Sequence, residues 1–239
     1  MCIKSANCYN CRTNLNYWRS EIKNEFEEFF KNRTNKHFET EFALLWMGGV
    51  LRPRIIASRN LKIQALNGTV TVKNFQMGGV QIGFGYVGII DNRYQRSVWE
   101  NNGEIVFEGR ARFGPGTRII NDGNLEFGDN FSINAASHVI CYDEITFGRD
   151  VLISWNCLIM DTDFHKIISN KNKQQVNTDR PIVIGDHVWI ACESTILKGS
   201  SIPSDSIIAA GSVICKRYTN TNTIYTSTGE IRNQITWTY

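Results

Sequence analysis

The chain has 239 residues, 42% of them hydrophobic, 21% charged, and a formal net charge of +3. It is long enough for one large domain plus an extension, and its weak positive charge, without a Lys/Arg run, does not argue for nucleic acid as a partner. Seven cysteines, scattered and odd in number, suit a reducing cytoplasm better than a disulfide scaffold.

The start, Met1 to Arg12, is polar and carries no signal-peptide core. Cys8 and Cys11 form a lone Cys-x-x-Cys with Cys2 nearby and no fourth ligand at sensible spacing, so no metal site is expected. Residues 13–52 read as helical. Leu15, Trp18, Ile22, Phe26, Phe29 and Phe30 recur at helical spacing with glutamates between them, and a second helix is expected from about Phe38 to Val50, ending before Pro53. The longest apolar stretch, Phe42 to Leu51, is too short to span a bilayer, so no transmembrane segment is expected. This extension, residues 1–60, is expected to cap the open first coil of the strand-rich region downstream, with peripheral docking on a membrane surface or a partner as the alternative.

Residues 61–104 alternate like short strands broken by glycine, as in Gly78-Gly79 and Ile82-Gly83-Phe84-Gly85, without a fixed repeat phase. A strict beat is plain further on: Ile184, Ile190, Ile196, Ile202, Ile208 and Ile214. A period of six belongs to neither a helix nor a simple strand. It predicts a chain that turns a corner after every short strand, a parallel β-solenoid with three hexads to a coil. Four residues after each beat come Val188, Ser194, Ser200, Ser206, Ser212 and Tyr218, nearly all small, as a tight corner requires. The frame recurs upstream at Phe107, Phe127 and Phe147, in steps of twenty residues whose two extra residues a corner can absorb. The solenoid domain is therefore set at residues 61–217, with a loosely structured tail at 218–239.

One interruption breaks the beat. After Ile159 the rhythm resumes at Ile184, so nineteen residues leave the solenoid within an excursion at 160–183 that opens with Asp161-Thr162-Asp163-Phe164-His165. A loop projecting from a rigid prism can carry a catalytic side chain to a substrate held against the coils. Histidine titrates nearest neutrality, which suits His165 to take a proton from an alcohol, and Asp161 or Asp163 is within reach to orient its ring.

These residues resemble the hexapeptide-repeat acyltransferases, most of all the galactoside and maltose acetyltransferases and the O-acetyltransferases of bacterial surface polysaccharides. The resemblance covers about residues 105–217. It is carried by the Asp-x-Asp-x-His excursion, by Ile184-Gly185-Asp186-His187-Val188-Trp189-Ile190-Ala191, and by Ala209-Ala210-Gly211-Ser212-Val213-Ile214-Cys215-Lys216. It implies an all-β fold, a left-handed parallel β-helix, with acetyl-CoA as co-substrate, no metal, and a homotrimer with active sites between neighbouring subunits. By the same resemblance His165 takes the position of the catalytic histidine, and the acetyl-CoA contacts fall near Ala191, Cys192, Ala210, Cys215 and Lys216. Cys192 and Cys215 stand where Ser or Thr is usual, and the tail lacks the Gly-Asn-Pro-Ala stretch that often comes after the last coil.

Strand alternation turns Trp189 outward, where a neighbouring subunit or the cofactor arm is its expected partner. Ala191 and Ala209, one coil apart, make a small-residue track that suits a pantetheine arm or close packing against another subunit, backbone N–H groups near Cys192 are the expected donors to a developing oxyanion, and the Asn134 carboxamide is expected either to bind the acceptor or to satisfy backbone groups at its corner. The reading is a cytoplasmic, acetyl-CoA-dependent O-acetyltransferase acting on a saccharide hydroxyl in capsule, O-antigen or lipooligosaccharide biosynthesis. N-acylation of an amino sugar or nucleotide-amino sugar is the alternative, and a non-catalytic β-helix scaffold the reading from a different class. A solenoid carbonic anhydrase would need three zinc-binding histidines, two of them close in sequence; the four here, His37, His138, His165 and His187, do not supply that spacing.

Overall fold

The computed structural model describes residues 54–238 apart from 59, 75, 89, 92 and 93. The expected helices of residues 13–52, and with them the capping role, lie outside the described residues. Within the described chain one coil states the rule. Phe131–Ile133 lies on face 1, His138–Cys141 on face 2 and Glu144–Phe147 on face 3, and each strand pairs in parallel with its counterparts a coil away. Stacked coils give sheets of nine, seven and six strands, the three walls of a prism. Corners are named here by the faces they join.

The beat residues fill the prism. Ile184, Ile190, Ile196, Ile202, Ile208 and Ile214 are all at most 1% exposed, and burying each such side chain contributes about 1.5–3 kcal/mol. The small residues four places on are buried too, and their hydroxyls serve the corners: Ser194 Oγ donates to the Ala209 carbonyl at 3.1 Å and Ser200 Oγ to the Ile214 carbonyl at 3.1 Å. Tight corners also place non-glycine residues in the left-handed region. Asn130, Asp150, His187 and Asp205 recur there on the 3–1 corner, with φ between 54° and 61°, and Asn and Asp adopt that conformation more readily than most residues.

The lower coils hold phenylalanine where the upper ones hold isoleucine. Phe107, Phe127 and Phe147 stack face to face, with centroids 5.1 and 5.4 Å apart. In register they continue as Ile184 and Ile202. Eight residues separate Val139 from Phe147, but only six separate the equivalent Ile196 from Ile202. The two extra residues of the twenty-residue coils therefore sit at the 2–3 corner, in the coils that hold the aromatic stack.

The first coils, whose phase the sequence hides, are regular. Val72 registers with Phe107, Ile82 with Phe113 and Trp99 with Ile119. Their beat is masked by surplus chain at two corners, between Val72 and Val80 and between Ile82 and Trp99. The stretch 218–239 differs from the loose tail expected. Ile224–Thr226 extends face 1 beside Ile207–Ile208, Gly229–Arg232 returns antiparallel to it, and Trp237 is 7% exposed against the prism. Its Thr- and Asn-rich composition hid two strands and one apolar anchor. Among the described residues, no helix is long and apolar enough to cross a membrane.

Candidate functional site

The excursion leaves the prism at the 2–3 corner, directly after the face 2 strand Leu158–Met160. Asp161 at its root is fully buried, and its two carboxylate oxygens accept the backbone N–H groups of Tyr142 at 2.8 Å and Asp143 at 2.9 Å in the coil below. Burial raises its pKa against the pull of those two N–H groups. It tops a buried column with Asn101, Asn121 and Cys141, in which Asn121 Nδ2 donates to Asn101 Oδ1 at 2.8 Å. Burial, with Asp161 beside it, pushes the Cys141 thiol far up, which keeps it protonated. Asp161 thus ties the loop to the prism. It is too enclosed to bind an acceptor, and no hydrogen bond links it to the His165 ring, so neither role expected of it fits.

Asp163 is also an anchor. Its Oδ2 receives Lys198 Nζ from the coil above and Asn177 Nδ2 at 2.8 Å from the returning limb of the excursion, and Lys198 first, then Asn177, lowers its pKa. Phe164 meets the Tyr142 ring of the coil below edge-on at 5.3 Å. The loop is therefore clamped to both neighbouring coils.

Between these clamps the chain makes a γ-turn. His165 N–H donates to the Asp163 carbonyl at 2.6 Å, and Phe164 at its centre has φ +59°, an uncommon conformation for an aromatic residue. The turn holds the His165 backbone, and Asn177 Nδ2 donates to its carbonyl at 2.7 Å. The imidazole is exposed and has no hydrogen-bond or ion-pair partner among the described residues. Lys198 and Asn177, which fix this arrangement, escaped the sequence reading, because they lie 35 and 14 residues from Asp163 and only the fold unites them.

The other expected site residues divide between two edges of face 2. On the 1–2 corner, register stacks Gly114, Asn134, Ser154, Ala191 and Ala209, each directly after an inward beat residue, into a small-residue track. Beside it runs a second column that includes Trp155, Cys192 and Ala210. Ala191 is buried and its N–H is spent on the Ile208 carbonyl at 2.9 Å. Cys192 is half-buried, its N–H has no acceptor among the described residues, and Ala210 is exposed. The Asn134 carboxamide is half-buried and makes no hydrogen bond to a described residue. Trp155, 36% exposed on this edge, went unnoticed; its signal was a large residue at a corner where the repeat otherwise favours small ones.

Cys215 and Lys216 lie instead on the 2–3 corner, just after Ile214, and both are exposed on the same edge as the excursion. Trp189 points outward from face 1 as expected, but its neighbours belong to its own chain. Its Nε1 donates to Ser154 Oγ at 3.2 Å, and its ring lies 6.2 Å from Trp237. Trp237 in turn stacks on His187 at 4.4 Å and donates from Nε1 to the His187 carbonyl at 3.0 Å, while His187 Nδ1 faces Asp205 at 3.0 Å.

One chain does not bring His165 to the track. Six residues separate Cys192 from Lys198 across face 2, roughly 20 Å of extended chain, and the excursion is clamped to the far edge through Lys198. Among the described residues no three His, Cys, Asp or Glu side chains converge as a metal site would need.

No protein-family model matches the chain. It is similar to the polysialic acid O-acetyltransferase of Neisseria meningitidis, 38% identical over 56 residues, which are 23% of this chain and 26% of that protein. It is also similar to the galactoside O-acetyltransferase of Escherichia coli K12, 32% identical over 93 residues, which are 39% of this chain and 45% of that protein. Part of the chain is thus similar in sequence to O-acetyltransferases. The matched part of the repeat protein spans less than half the length of either relative. The crystal structure of the polySia-specific acetyltransferase NeuO superposes with a TM-score of 0.53 at 19% identity, covering 75% of this chain and 72% of that one. That likeness is one of fold, a left-handed parallel β-helix.

Proposed function

We propose that the protein transfers the acetyl group of acetyl-CoA to a hydroxyl of a saccharide, in the building of a bacterial surface polysaccharide. The observation that carries this reading is the His165 imidazole, exposed and without a protein partner among the described residues, on an excursion clamped to the coils above and below it. Similarity to two sugar O-acetyltransferases supports it.

In this reading His165 removes the proton of the acceptor hydroxyl as that oxygen attacks the thioester carbonyl. The C–O bond forms, the tetrahedral oxyanion collapses, the C–S bond breaks, and the imidazolium returns its proton to the departing CoA thiolate. No acyl-enzyme is needed, and holding both substrates in one cleft supplies much of the rate. The Cys192 N–H is a donor for the oxyanion, and the track of Ala191 and Ala209 is flat enough for a pantetheine arm. Because those groups lie on the opposite edge of face 2 from His165, the cleft forms between copies. A homotrimer satisfies this, with Cys215 and Lys216 of the excursion-bearing copy lining the same cleft and Lys216 placed to meet a CoA phosphate. Dependence on acetyl-CoA and the absence of disulfide pairing among Cys141, Cys157, Cys192 and Cys215 favour a cytoplasmic setting.

The test is transfer of labelled acetyl from acetyl-CoA to bacterial surface glycans by the wild-type protein and by His165→Ala. The variant is expected to lose about 10²–10⁴-fold in kcat while its affinity for CoA is kept. Full activity in His165→Ala would overturn the mechanism. Transfer to an amine in place of a hydroxyl would favour N-acylation.

A further inference from the structure

The 3–1 corner of the first coils carries surplus chain: eight residues separate Val72 from Val80, where four separate Phe107 from Ala111 one coil on. The surplus, residues 76–79, stands over face 1 as one wall of a groove of about 410 Å³, within the range of small-molecule sites. Its floor is a column in register, Gln81, Arg112 and Ser132, and Arg110 lies on its rim. Gln76 and the exposed Met77 supply the side chains of this wall, Gly78 and Gly79 add none, and the Gly78 carbonyl holds the Gln81 amide at 3.2 Å.

The charge in this groove is one-sided. Two guanidinium groups line it and no carboxylate does. Arg110 is 3.9 Å from Asp129 Oδ1, whose nearer contact is the Arg110 backbone N–H at 2.7 Å. Nearby Glu108 is engaged by Lys73, and Asp150 by Asn130 Nδ2 at 2.7 Å. Arg112 is exposed and has no ion-pair partner among the described residues. Face 3, by contrast, presents Glu104, Glu126 and Glu144 outward. A polyanion is repelled from face 3 and drawn to face 1.

We propose that this groove is a subsite for a carboxylate-bearing sugar unit of the acceptor, so that the preferred acceptor is an acidic polysaccharide. The proposal rests on the sugar-acceptor reading above. A guanidinium takes a carboxylate through two parallel N–H donors, and Gln81 and Ser132 beside it suit ring hydroxyls. Arg112 lies three rungs from Trp189, roughly 14 Å at the usual strand spacing. Ala191 and Cys192 follow Trp189 on the same coil, so the groove grips a unit some way along the chain from a sugar reacting there, and an oligomer binds far better than its monomer.

Calorimetric titration of the full chain, without acetyl-CoA, tests this. The probes are hexagalacturonate and a sialic acid hexamer, with maltohexaose, galacturonic acid and CoA beside them, each at low and at physiological salt. At least one acidic hexamer is expected to bind more tightly than maltohexaose and than the acidic monomer, to lose about ten-fold on Arg112→Gln, and to weaken with salt in the wild type more than in the variant. CoA binding is expected to stay unchanged. Acidic hexamers that bind no better than maltohexaose would overturn the subsite, as would an Arg112→Gln variant that loses CoA affinity while keeping the glycan. Intact Arg112-dependent glycan binding in a protein that transfers no acetyl group would strike the reaction and leave the subsite standing.

Discussion

The coils below the excursion and those above it solve one packing problem in two ways. Below, twenty residues per turn enclose stacked phenylalanines; above, eighteen enclose isoleucines. The difference is confined to the 2–3 corner, and the excursion leaves from that same corner between the two regimes. It teaches that from the Phe113 coil upward this corner is the elastic one, whereas in the first coils the surplus chain lies at the 3–1 and 1–2 corners. The 1–2 corner keeps its spacing from Phe113 to Ile119 through Ile208 to Ile214, and there the fold stacks its flat track; the 2–3 corner changes length, and there it hangs the loop that bears His165.

The largest effect expected from breaking this division falls on the loop, where His165→Ala removes about 10²–10⁴-fold of the rate and leaves the melting temperature unchanged, since the imidazole has no described partner. Next comes the aromatic stack. Phe127→Ala should cost about 3–5 kcal/mol, read as a shift of the denaturant midpoint, because Phe107, Phe147, Phe113 and Phe131 all touch its ring at centroid distances between 4.7 and 5.4 Å. If the loss stays below about 1 kcal/mol, the twenty-residue coils do not depend on that stack.

The clamp gives a subtler effect. Lys198 and Asn177 lower the pKa of Asp163, so its contribution is present above the unfolded value of about 3.9 and lost as pH falls through the lowered folded value. Cleavage within residues 166–176 by an acid-tolerant protease should therefore stay slow at neutral and mildly acidic pH and rise only in stronger acid. Lys198→Ala should bring that cleavage to neutral pH, and an unchanged profile would remove the clamp from the account. The smallest effect belongs to the upper coils, where Ile202→Val should cost about 0.5–1.5 kcal/mol.

Much of this was legible in the sequence. The hexad beat gave the architecture, the coil starts at Phe107, Phe127, Phe147, Ile184 and Ile202, and the exit of the chain after Ile159, because inward residues must recur wherever a prism repeats. The features that stayed hidden depended on contacts distant in sequence or on corners that interrupt the period. The phase of residues 61–104 was lost to two long corners. Asp161 and Asp163 looked like partners of the imidazole, since nearness in sequence was the only guide. In the fold one caps the corner at Tyr142 and the other is held by Lys198. Trp189 reads in the sequence as awaiting a neighbouring subunit or the cofactor arm, because Trp237, which it meets in the fold, is 48 residues on in a tail whose composition reads as loop. Arg112 raised no signal at all, since a lone arginine on a strand becomes part of a groove only when the wall of residues 76–79 stands over it.

The central claim is that His165 of one copy works against the track of another, and mixing two inactive variants tests it most directly. His165→Ala removes the base, and Ala210→Trp, at an exposed position, blocks the track. Each alone should be inactive. Co-expressed at equal levels in a cyclic trimer, they should recover about a quarter of the wild-type rate, since random mixing leaves that share of interfaces with both functional edges. Mixed oligomers that form and show no activity above either parent would contradict a site shared between copies.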